Sequence, residues 1–565
     1  MVRNNIARFA VAAGLSLVAL TGMAGVPTPA MAAVTYGTGS ITINKTKKNG
    51  AVTYDGYQIF KANVTDDANA TNSTGKAEQN IAWANDSVKT AVEKVIKDEK
   101  NSSYAGTTAE DAANFISTKV TNTNNTTKVD ATSFANKLAK AVDGLTDKTS
   151  VTPGTAATLN EGYWLFVTDT TATDNKQDTI GTSPIFAVVG GATAVTVTEK
   201  SSGDVPTVTK KVKNDASSAD YTSAADSQVG QSLTYQLTGT VADNINTYDT
   251  YKYNFSDVLS KGLTADVTSV KVTIDGKEVS TDSYKKNYDT TSNTLTVDFT
   301  DLKSAKDTSG TAISVTGGTS KVVVTYTAKL DPTKTVTFGG TGNDNTVTLT
   351  YSNNPHSTGT GTSTPSSSKT FTYQLVLHKV NRTTEKNLSG AKFTIQATKP
   401  DDEESKNKYV QEDGTLGTTA YEFTTADDGT INVKGLDAGT YTVHETTAPS
   451  GYDTVADFTF EIKPTYDQTG ATLTKLENVL TATDSVIAGD TDGVTTDNVL
   501  TASGKNAADA TTGTVKITVG DAKRSSMPLT GMDGVTFTWI AGGTVLVIGM
   551  ANLIRMKRKQ DKAAE

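Results

Sequence analysis

The sequence predicts a mainly β protein built from tandem β-sandwich domains, the first of which carries helical insertions. Thr, Ser, Asn, Asp and Gly are abundant, and only 36% of the 565 residues are hydrophobic. Short segments of alternating polarity, separated by Gly, Asn and Asp turns, are typical of sandwich strands. About 500 residues remain after the two terminal signals described below are excluded, which favours three modules in series.

The N-terminus has the pattern of a secretory signal peptide. Arg3 and Arg8 precede an apolar stretch over 9–26, and Ala30-Met31-Ala32 offers a small-residue cleavage site. We expect cleavage after Ala32 and export of the rest. Because the chain contains no cysteine, it cannot be a disulfide-stabilised scaffold.

Composition shifts divide the remaining chain into segments. The clearest linker is a Ser-, Thr-, Gly- and Pro-rich stretch, and a second boundary falls near Gly203. The predicted segments are a signal peptide (1–32), a sandwich with helices (33–203), an immunoglobulin-like module (204–356), a linker (357–369), a second immunoglobulin-like module (370–524) and a C-terminal tail (525–565).

The first module mixes helix and strand patterns. Apolar residues recur at helical spacing over 88–96 and 134–145. A capping box at Thr107-Thr108-Ala109-Glu110 predicts one more short helix. Strands are predicted at 40–43, 162–167 and 185–189, so we expect a sandwich with helical insertions.

The C-terminal tail combines a short motif, an apolar run and a basic cluster. The motif is Met527-Pro528-Leu529-Thr530-Gly531, the apolar run covers 535–554, and basic residues follow from Arg555. The run is long enough for a transmembrane helix, and the basic cluster stays cytoplasmic. This order resembles the cell-wall sorting signal of Gram-positive surface proteins, with Met527 where Leu is usual. The alternative is an ordinary membrane anchor.

Several function classes find little support in the sequence. A net charge of −9 makes nucleic acid a poor partner. The three histidines are far apart and lack metal-ligand spacing, and no nucleophile–base motif is present. We therefore expect no metal, no cofactor and no turnover enzyme.

Charged and amide side chains fall at inward positions of predicted strands in the second module. Alternation places Lys210 with Val208 and Val212, and Asp257 with Phe255 and Leu259. Asn353 shares a face with Val347, Leu349 and Tyr351. Burial lowers the pKa of an amine and raises that of a carboxylic acid. A neutral lysine could then attack the asparagine amide, release ammonia and form an isopeptide bond. The alternative is a surface lysine and a turn asparagine.

The segments 253–257, 261–263 and 347–355 are similar to the isopeptide-forming fimbrial domain of Gram-positive backbone pilins. The resemblance implies that Lys210 and Asn353 form the bond and that Asp257 catalyses it. Asn354 competes with Asn353 for the asparagine role.

The third module resembles a collagen-adhesin B-type domain through its motif at 441–452. By this resemblance Glu445 is the proton-shuttling glutamate and Lys379 is the reactive lysine. The in-register residue of the closing strand is Asp521, where the family usually has Asn, so water would leave instead of ammonia. The alternative is an uncross-linked domain in which Glu445 pairs with Lys379.

The segment Val195-Thr196-Val197-Thr198-Glu199-Lys200 resembles the pilin motif, with Thr198 and Glu199 replacing Tyr and Pro. The resemblance implies that Lys200 is the acceptor amine of polymerisation. A sortase would join Thr530 of one copy to Lys200 of the next.

Together these resemblances imply the major shaft pilin of a Gram-positive surface, supporting adhesion and colonisation. The implied partners are a pilus-specific and a housekeeping sortase, other copies of the chain, tip and base pilins, peptidoglycan and host surface ligands. The alternative is a monomeric wall-anchored adhesin that binds host protein or glycan. Whether the first module contains its own bond stays open.

Overall fold

The computed structural model describes residues 34–45, 52–67, 75–99, 108–120, 130–199, 204–214, 220–400, 402–481 and 507–524. These residues form three β-rich domains in sequence order, so the predicted fold class is confirmed. Among them, no helix has the length and apolar character needed to span a bilayer. The predicted signal peptide and the predicted tail both lie outside the described residues.

The N-terminal domain contains two sheets and a layer of helices. A five-stranded sheet has the order β3-β2-β6-β7 with β4 on β2, and a three-stranded sheet has the order β5-β1-β8. The strands are β1 (Thr38–Asn44), β2 (Tyr54–Asp66), β3 (Lys76–Trp83), β4 (Thr149–Val151), β5 (Ala157–Asn160), β6 (Gly162–Thr168), β7 (Ile185–Val189) and β8 (Val195–Thr198). The helices are α1 (Asp86–Asp98), α2 (Ala109–Lys119), α3 (Phe134–Val142) and α4 (Thr170–Thr173).

Strand β6 is buried along its whole length because both of its faces are covered. The residues Tyr163 and Leu165 pack with the helices, while Trp164 and Phe166 face the small sheet. The predicted helices and strands of this domain are present. The capping box differs by one position, since Thr108 caps α2 with Asp111 and not with Glu110. The cap bonds the third helical residue, and that residue is Asp111.

The middle domain is a two-sheet sandwich. One sheet has the order β10-β9-β12-β18-β14-β15, and the facing sheet has the order β11-β21-β19-β13-β17-β16 with β20 on β19. Its strands are β9 (Val208–Lys213), β10 (Tyr221–Thr222), β11 (Ala224–Asp226), β12 (Ser232–Thr240), β13 (Tyr253–Leu259), β14 (Leu263–Ile274), β15 (Lys277–Glu278), β16 (Lys285–Asp289), β17 (Thr294–Phe299), β18 (Lys321–Leu330), β19 (Asn343–Ser352), β20 (Thr360–Thr362) and β21 (Ser366–Phe371). Short 3₁₀ turns occur at Ile245–Thr247, Thr281–Ser283 and Leu302–Ser304.

The segment interpreted as a linker, 357–369, is not a linker in the structure. It contains β20 and most of β21, and both strands pair with β19. Its Ser and Thr residues suggested loop, but Thr is a good strand former and the hydroxyls can bond neighbouring strands. The Oγ of Ser366, for example, accepts a hydrogen bond from Lys210 N at 2.9 Å. The middle domain therefore continues to Phe371.

The C-terminal domain is a second sandwich and follows after the single residue Thr372. Its sheets have the orders β27-β22-β32-β31 and β25-β24-β23-β28-β29-β30, with β26 on β23. The strands are β22 (Tyr373–Asn381), β23 (Lys392–Pro400), β24 (Tyr409–Val410), β25 (Leu416–Gly417), β26 (Phe423–Thr424), β27 (Thr430–Leu436), β28 (Gly439–Thr447), β29 (Phe458–Asp467), β30 (Thr472–Thr481), β31 (Ala507–Asp509) and β32 (Thr514–Asp521). The first strand, β22, and the last, β32, are parallel neighbours.

The middle and C-terminal domains approach each other closely at two glycines. Gly339 and Gly513 both have positive φ, 71° and 65°. A Cβ on Gly339 would lie 2.0 Å from the backbone nitrogen of Gly513, so no larger residue fits there.

Candidate cross-linking sites

The lysine of the middle domain is part of the sandwich core. Strand β9 alternates so that Val208, Lys210 and Val212 are buried. The side chain of Lys210 is completely inaccessible to solvent. A single charge in such a position is costly unless a partner compensates it.

Asp257 on the facing sheet is that partner. Lys210 Nζ donates to Asp257 Oδ1 at 2.6 Å and to Oδ2 at 2.5 Å. The ammonium also lies 5.2 Å and 5.4 Å from the ring centres of Tyr235 and Tyr326. Burial lowers the pKa of Lys210 to about 8, although the Asp257 carboxylate acts in the opposite direction. The amine is therefore easier to neutralise than an ordinary lysine.

An amide completes this site, and it belongs to Asn345. The hydroxyl of Tyr326 donates to Asp257 Oδ2 at 2.6 Å, and Asn345 Nδ2 donates to the same hydroxyl at 2.7 Å. Among the described residues, Asn345 Oδ1 has no hydrogen-bond partner. Lysine, carboxyl group and amide thus meet around one tyrosine hydroxyl.

The structure does not bring Asn353, the asparagine predicted from the sequence, to this site. Asn353 lies at the contact with the N-terminal domain, where its Nδ2 donates to Thr173 O at 2.6 Å and to Thr179 Oγ1 at 3.0 Å. Its competitor Asn354 lies at the same contact, because its Nδ2 donates to Thr168 O at 3.2 Å. Both side chains therefore form hydrogen bonds between the middle domain and the N-terminal domain.

Strand register explains this correction. Asp257 stands opposite Val347 in the antiparallel pair β13–β19. Asn345 is two residues from Val347 on the same face, whereas Asn353 is six residues away in the other direction. That distance corresponds to roughly 20 Å along a strand. The face was therefore predicted correctly, but the position along it was not.

The C-terminal site brings together the three residues expected from the sequence. Lys379 Nζ donates to Asp521 Oδ1 and lies 2.8 Å from Glu445 Oε1. All three side chains are completely buried. Lys379 stands opposite Val519 in the parallel pair β22–β32, two residues from Asp521. The ring of Phe393 covers the amine, with its centre 5.2 Å from Nζ.

The two carboxyl groups of this site differ in their surroundings. Glu445 Oε2 accepts a hydrogen bond from Val455 N at 2.8 Å. Asp521 Oδ2 has no hydrogen-bond partner in the described part of the chain. Burial raises the pKa of Asp521 to about 6; Lys379 opposes this effect, and Glu445 adds to it. Asp521 is thus more readily protonated than an ordinary aspartate.

A third buried lysine, Lys76, lies in the N-terminal domain and was not predicted from the sequence. Lys76 Nζ donates to Asp66 Oδ1, to Thr193 O at 2.7 Å and to Thr193 Oγ1 at 2.9 Å. The Asp66 side chain is 34% exposed, and the hydrogen bond from Lys76 lowers its pKa. This pair is a partly solvated ion pair, since its acid is held in the charged form.

The residues predicted to take part in polymerisation fall in two segments of the chain. Lys200 and the motif Met527, Pro528, Leu529, Thr530 and Gly531 lie outside the described residues. Glu199, immediately before Lys200, is buried at the end of the N-terminal domain and accepts a hydrogen bond from Tyr54 Oη.

Fold and sites together define the class: a multidomain β-sandwich protein with lysine–carboxyl clusters in two consecutive domains. Residues 373–478 match the family described as the SpaA prealbumin-like fold domain. The matched segment includes Lys379 and Glu445 and ends before Asp521. No curated protein matches the chain significantly.

Several solved structures have a similar fold. The T6 backbone pilin of serotype M6 Streptococcus pyogenes is 16% identical, with a TM-score of 0.50 over 88% of this chain and 100% of that chain. The major pilin SpaA of Corynebacterium diphtheriae is 15% identical, with a TM-score of 0.43 over 77% of this chain and 97% of that chain. For the Bacillus cereus major pilin BcpA the values are 13%, 0.37, 87% and 100%. The predicted resemblance to backbone pilins is confirmed at the level of the fold.

Proposed function

We propose that this chain is the major shaft subunit of a covalent pilus on a Gram-positive surface, where it supports adhesion and colonisation. The observation that carries the proposal is the burial of a lysine against carboxyl groups in two consecutive sandwich domains. A buried ion pair is weak evidence of stability by itself. Two such sites, each joining strands far apart in sequence, are better explained as sites of covalent bond formation. The pilin fold of the chain supports the same reading.

In the middle domain the bond joins Lys210 to Asn345. Proton transfer from Lys210 to Asp257 leaves a neutral amine beside a neutral acid. The amine attacks Asn345 Cγ, and ammonia leaves. Hydrogen bonds through Tyr326 already connect the acid to the amide.

In the C-terminal domain the bond joins Lys379 to Asp521. Here a neutral aspartic acid is attacked and water leaves, while Glu445 moves the protons. Closure of loops of about 135 and about 142 residues stabilises each domain by roughly 5 kcal/mol in the chain-entropy model. Each bond also makes its domain resistant to pulling, because it links the first strand of the domain covalently to a strand near its C-terminal end.

The same proposal assigns Thr530 and Lys200 to polymerisation. The cysteine of a pilus-specific sortase attacks the Thr530 carbonyl and releases Gly531 with the anchor. Lys200 of another copy resolves the acyl-enzyme, so growth is head to tail and does not close. A housekeeping sortase then transfers the last subunit to peptidoglycan, and tip and base pilins complete the fibre. The chain is a substrate in these steps.

An electrophoretic ladder tests the polymer. Boiled wall extracts of cells that express the chain with its sortase should give an SDS-resistant ladder, and Lys200→Ala should reduce it to one band. Lys252→Ala, at an exposed position of the middle domain, is the matched control and should keep the ladder. A single wild-type band would favour the monomeric adhesin, and a ladder from Lys200→Ala would exclude Lys200 as acceptor.

A further inference from the structure

The hydroxyl of Tyr326 contacts every reacting group of the middle site. It donates to Asp257 Oδ2 at 2.6 Å, accepts from Asn345 Nδ2 at 2.7 Å and accepts from Lys210 Nζ at 3.2 Å. The amide nitrogen it touches is the atom that must leave as ammonia. A purely structural tyrosine needs only one such partner to satisfy its hydroxyl.

The position of this hydroxyl is tightly held. Tyr326 lies in the central strand β18 and is almost fully buried. Its ring stacks on Tyr235 with 5.4 Å between ring centres and 15° between planes. The hydroxyl of Tyr235 points elsewhere, to Thr370 Oγ1 at 2.6 Å. Two stacked tyrosines thus flank Lys210, and the hydroxyl of Tyr326 links Asp257 to Asn345 by hydrogen bonds.

We propose that Tyr326 is a catalytic residue of bond formation, relaying a proton from Asp257 to the departing nitrogen of Asn345. This inference rests on the proposed Lys210–Asn345 bond. Starting from a neutral Lys210 amine and a protonated Asp257, the Lys210 nitrogen forms a bond to Asn345 Cγ, and it transfers one proton to Asp257 once Asp257 has given up its own. As the Cγ–Nδ2 bond breaks, Tyr326 gives its proton to Nδ2 and takes one from Asp257. Ammonia leaves, and both Asp257 and Tyr326 end protonated as they began.

The need for such a relay follows from the leaving group. An amide nitrogen cannot leave as an anion, so it must be protonated while its bond to carbon breaks. Positioned proton donors typically contribute 10²–10⁴-fold to such steps. In the crosslink proposed for the C-terminal domain water departs, and Phe393, which has no hydroxyl, covers Lys379 there.

A quenched time course of full-length ectodomain tests the relay. Protein from cell-free synthesis is quenched in denaturant at intervals, and cross-linked peptides are measured by mass spectrometry. Tyr326→Phe should slow the loss of ammonia on the order of 100-fold. Tyr253→Phe, which removes another buried hydroxyl of the middle domain, bonded to Thr240 O at 2.7 Å, should leave the rate within a factor of two or so. Loss of water at Lys379–Asp521 reports folding of the neighbouring domain in both variants.

A second measurement needs no variant and covers the case in which Tyr326→Phe does not fold. The wild-type rate of ammonia loss is followed in mixtures of light and heavy water. If two protons move in the same step, as the relay requires, a plot of this rate against the deuterium fraction of the solvent should be curved. If the rate depends linearly on the deuterium fraction, or if folded Tyr326→Phe loses ammonia at the wild-type rate, Tyr326 does not relay the proton. The proposed Lys210–Asn345 bond would still stand. A wild-type protein that never loses ammonia would overturn the proposed bond together with the relay.

Discussion

The middle and C-terminal sites both have a buried lysine in the first strand of a sandwich, but burial shifts the pKa of a different group in each site. In the middle domain one acid faces the lysine, and burial lowers the pKa of the amine to about 8. In the C-terminal domain two acids face it, and burial raises the pKa of Asp521 to about 6. The middle site holds an amide, and the C-terminal site holds a second carboxyl group in its place.

The difference shows two ways to obtain the same reactive state. A neutral amine must lie beside a neutral acid, and desolvation favours the neutral form of both groups. With one acid, a single shared proton is enough. With two acids, one of them must carry an additional proton, so the C-terminal site depends more strongly on pH.

The largest expected effect comes from removing a lysine. Lys379→Ala prevents the bond and leaves Glu445 and Asp521 buried without a cation, so it should cost at least roughly 5 kcal/mol. The mass deficit relative to the value calculated from the sequence should be smaller by one water in this variant, and urea unfolding should measure the lost stability. Lys392→Ala, at an exposed ion pair with Glu422, is the control and should change little. An unchanged mass deficit in Lys379→Ala would contradict the bond.

This variant also has a predicted pH dependence. The pKa of Asp521 is raised in the folded state, so the carboxyl group favours the fold below its unfolded pKa. That contribution is lost as pH rises through this raised pKa, which lies higher still without Lys379, because Lys379 lowers it. Thermal unfolding of Lys379→Ala should therefore occur at a higher temperature at pH 5 than at pH 7.

The second prediction separates the two asparagines. Asn345→Ala should abolish the loss of ammonia from the middle domain and remove roughly 5 kcal/mol of cross-link stabilisation. Asn353→Ala should keep the bond, because it removes only the hydrogen bonds to Thr173 and Thr179 at the domain contact. Peptide mapping of both variants measures the bond. A lost bond in Asn353→Ala and an intact one in Asn345→Ala would reverse the assignment.

The third prediction concerns the pH dependence of bond formation. The reactive state needs one proton on the Lys210–Asp257 pair and two on the Lys379–Glu445–Asp521 group. Between pH 6 and pH 8 the loss of water should slow by up to about tenfold per pH unit, since Asp521 ionises near 6. The loss of ammonia should stay constant until about pH 8, where Lys210 loses its proton. Parallel profiles from quenched time courses would exclude this difference.

The smallest effect is expected in the N-terminal domain. The pKa of Asp66 is lowered by its hydrogen bond from Lys76, so the carboxylate stays charged and should form no amide. Asp66→Asn should leave the mass deficit of the ectodomain unchanged and slightly lower the melting temperature above pH 5. The Asp66–Lys76 ion pair stabilises the fold at pH values above the unfolded pKa of aspartate. This stabilisation is lost as the pH falls through the lowered pKa of Asp66 in the folded state. A cross-linked peptide joining 66 and 76 would overturn this view.

Strand alternation was enough to predict much of both sites. It places Lys210, Asp257, Lys379 and Asp521 on inward faces, because side chains alternate with a period of two along a strand. It pointed to Asn353, with Asn354 as the competitor, and missed Asn345, since the choice depends on which residue of β19 faces Asp257. Tyr326 was also missed, because it lies in β18, a strand far from Lys210 in the sequence.

Amino-acid composition predicted the C-terminal boundary of the middle domain less well than strand alternation predicted the sites. The Ser-, Thr- and Gly-rich stretch before Phe371 lacks the apolar alternation of a core strand. It nevertheless forms β21, because β19 and β11 offer backbone partners on both sides. Such a strand is stabilised by neighbours rather than by its own pattern.

The sequence by itself determined the β-sandwich class, the helical insertions, the inward lysines and the acids of both domains. These features follow from local periodicity and from residue chemistry. Only the tertiary structure decided which amide meets Lys210, that Tyr326 connects acid and amide, and that the presumed linker is a strand. Each of these depends on strand register and on sheet-to-sheet packing, which bring Lys210 into contact with Tyr326, 116 positions further along the chain.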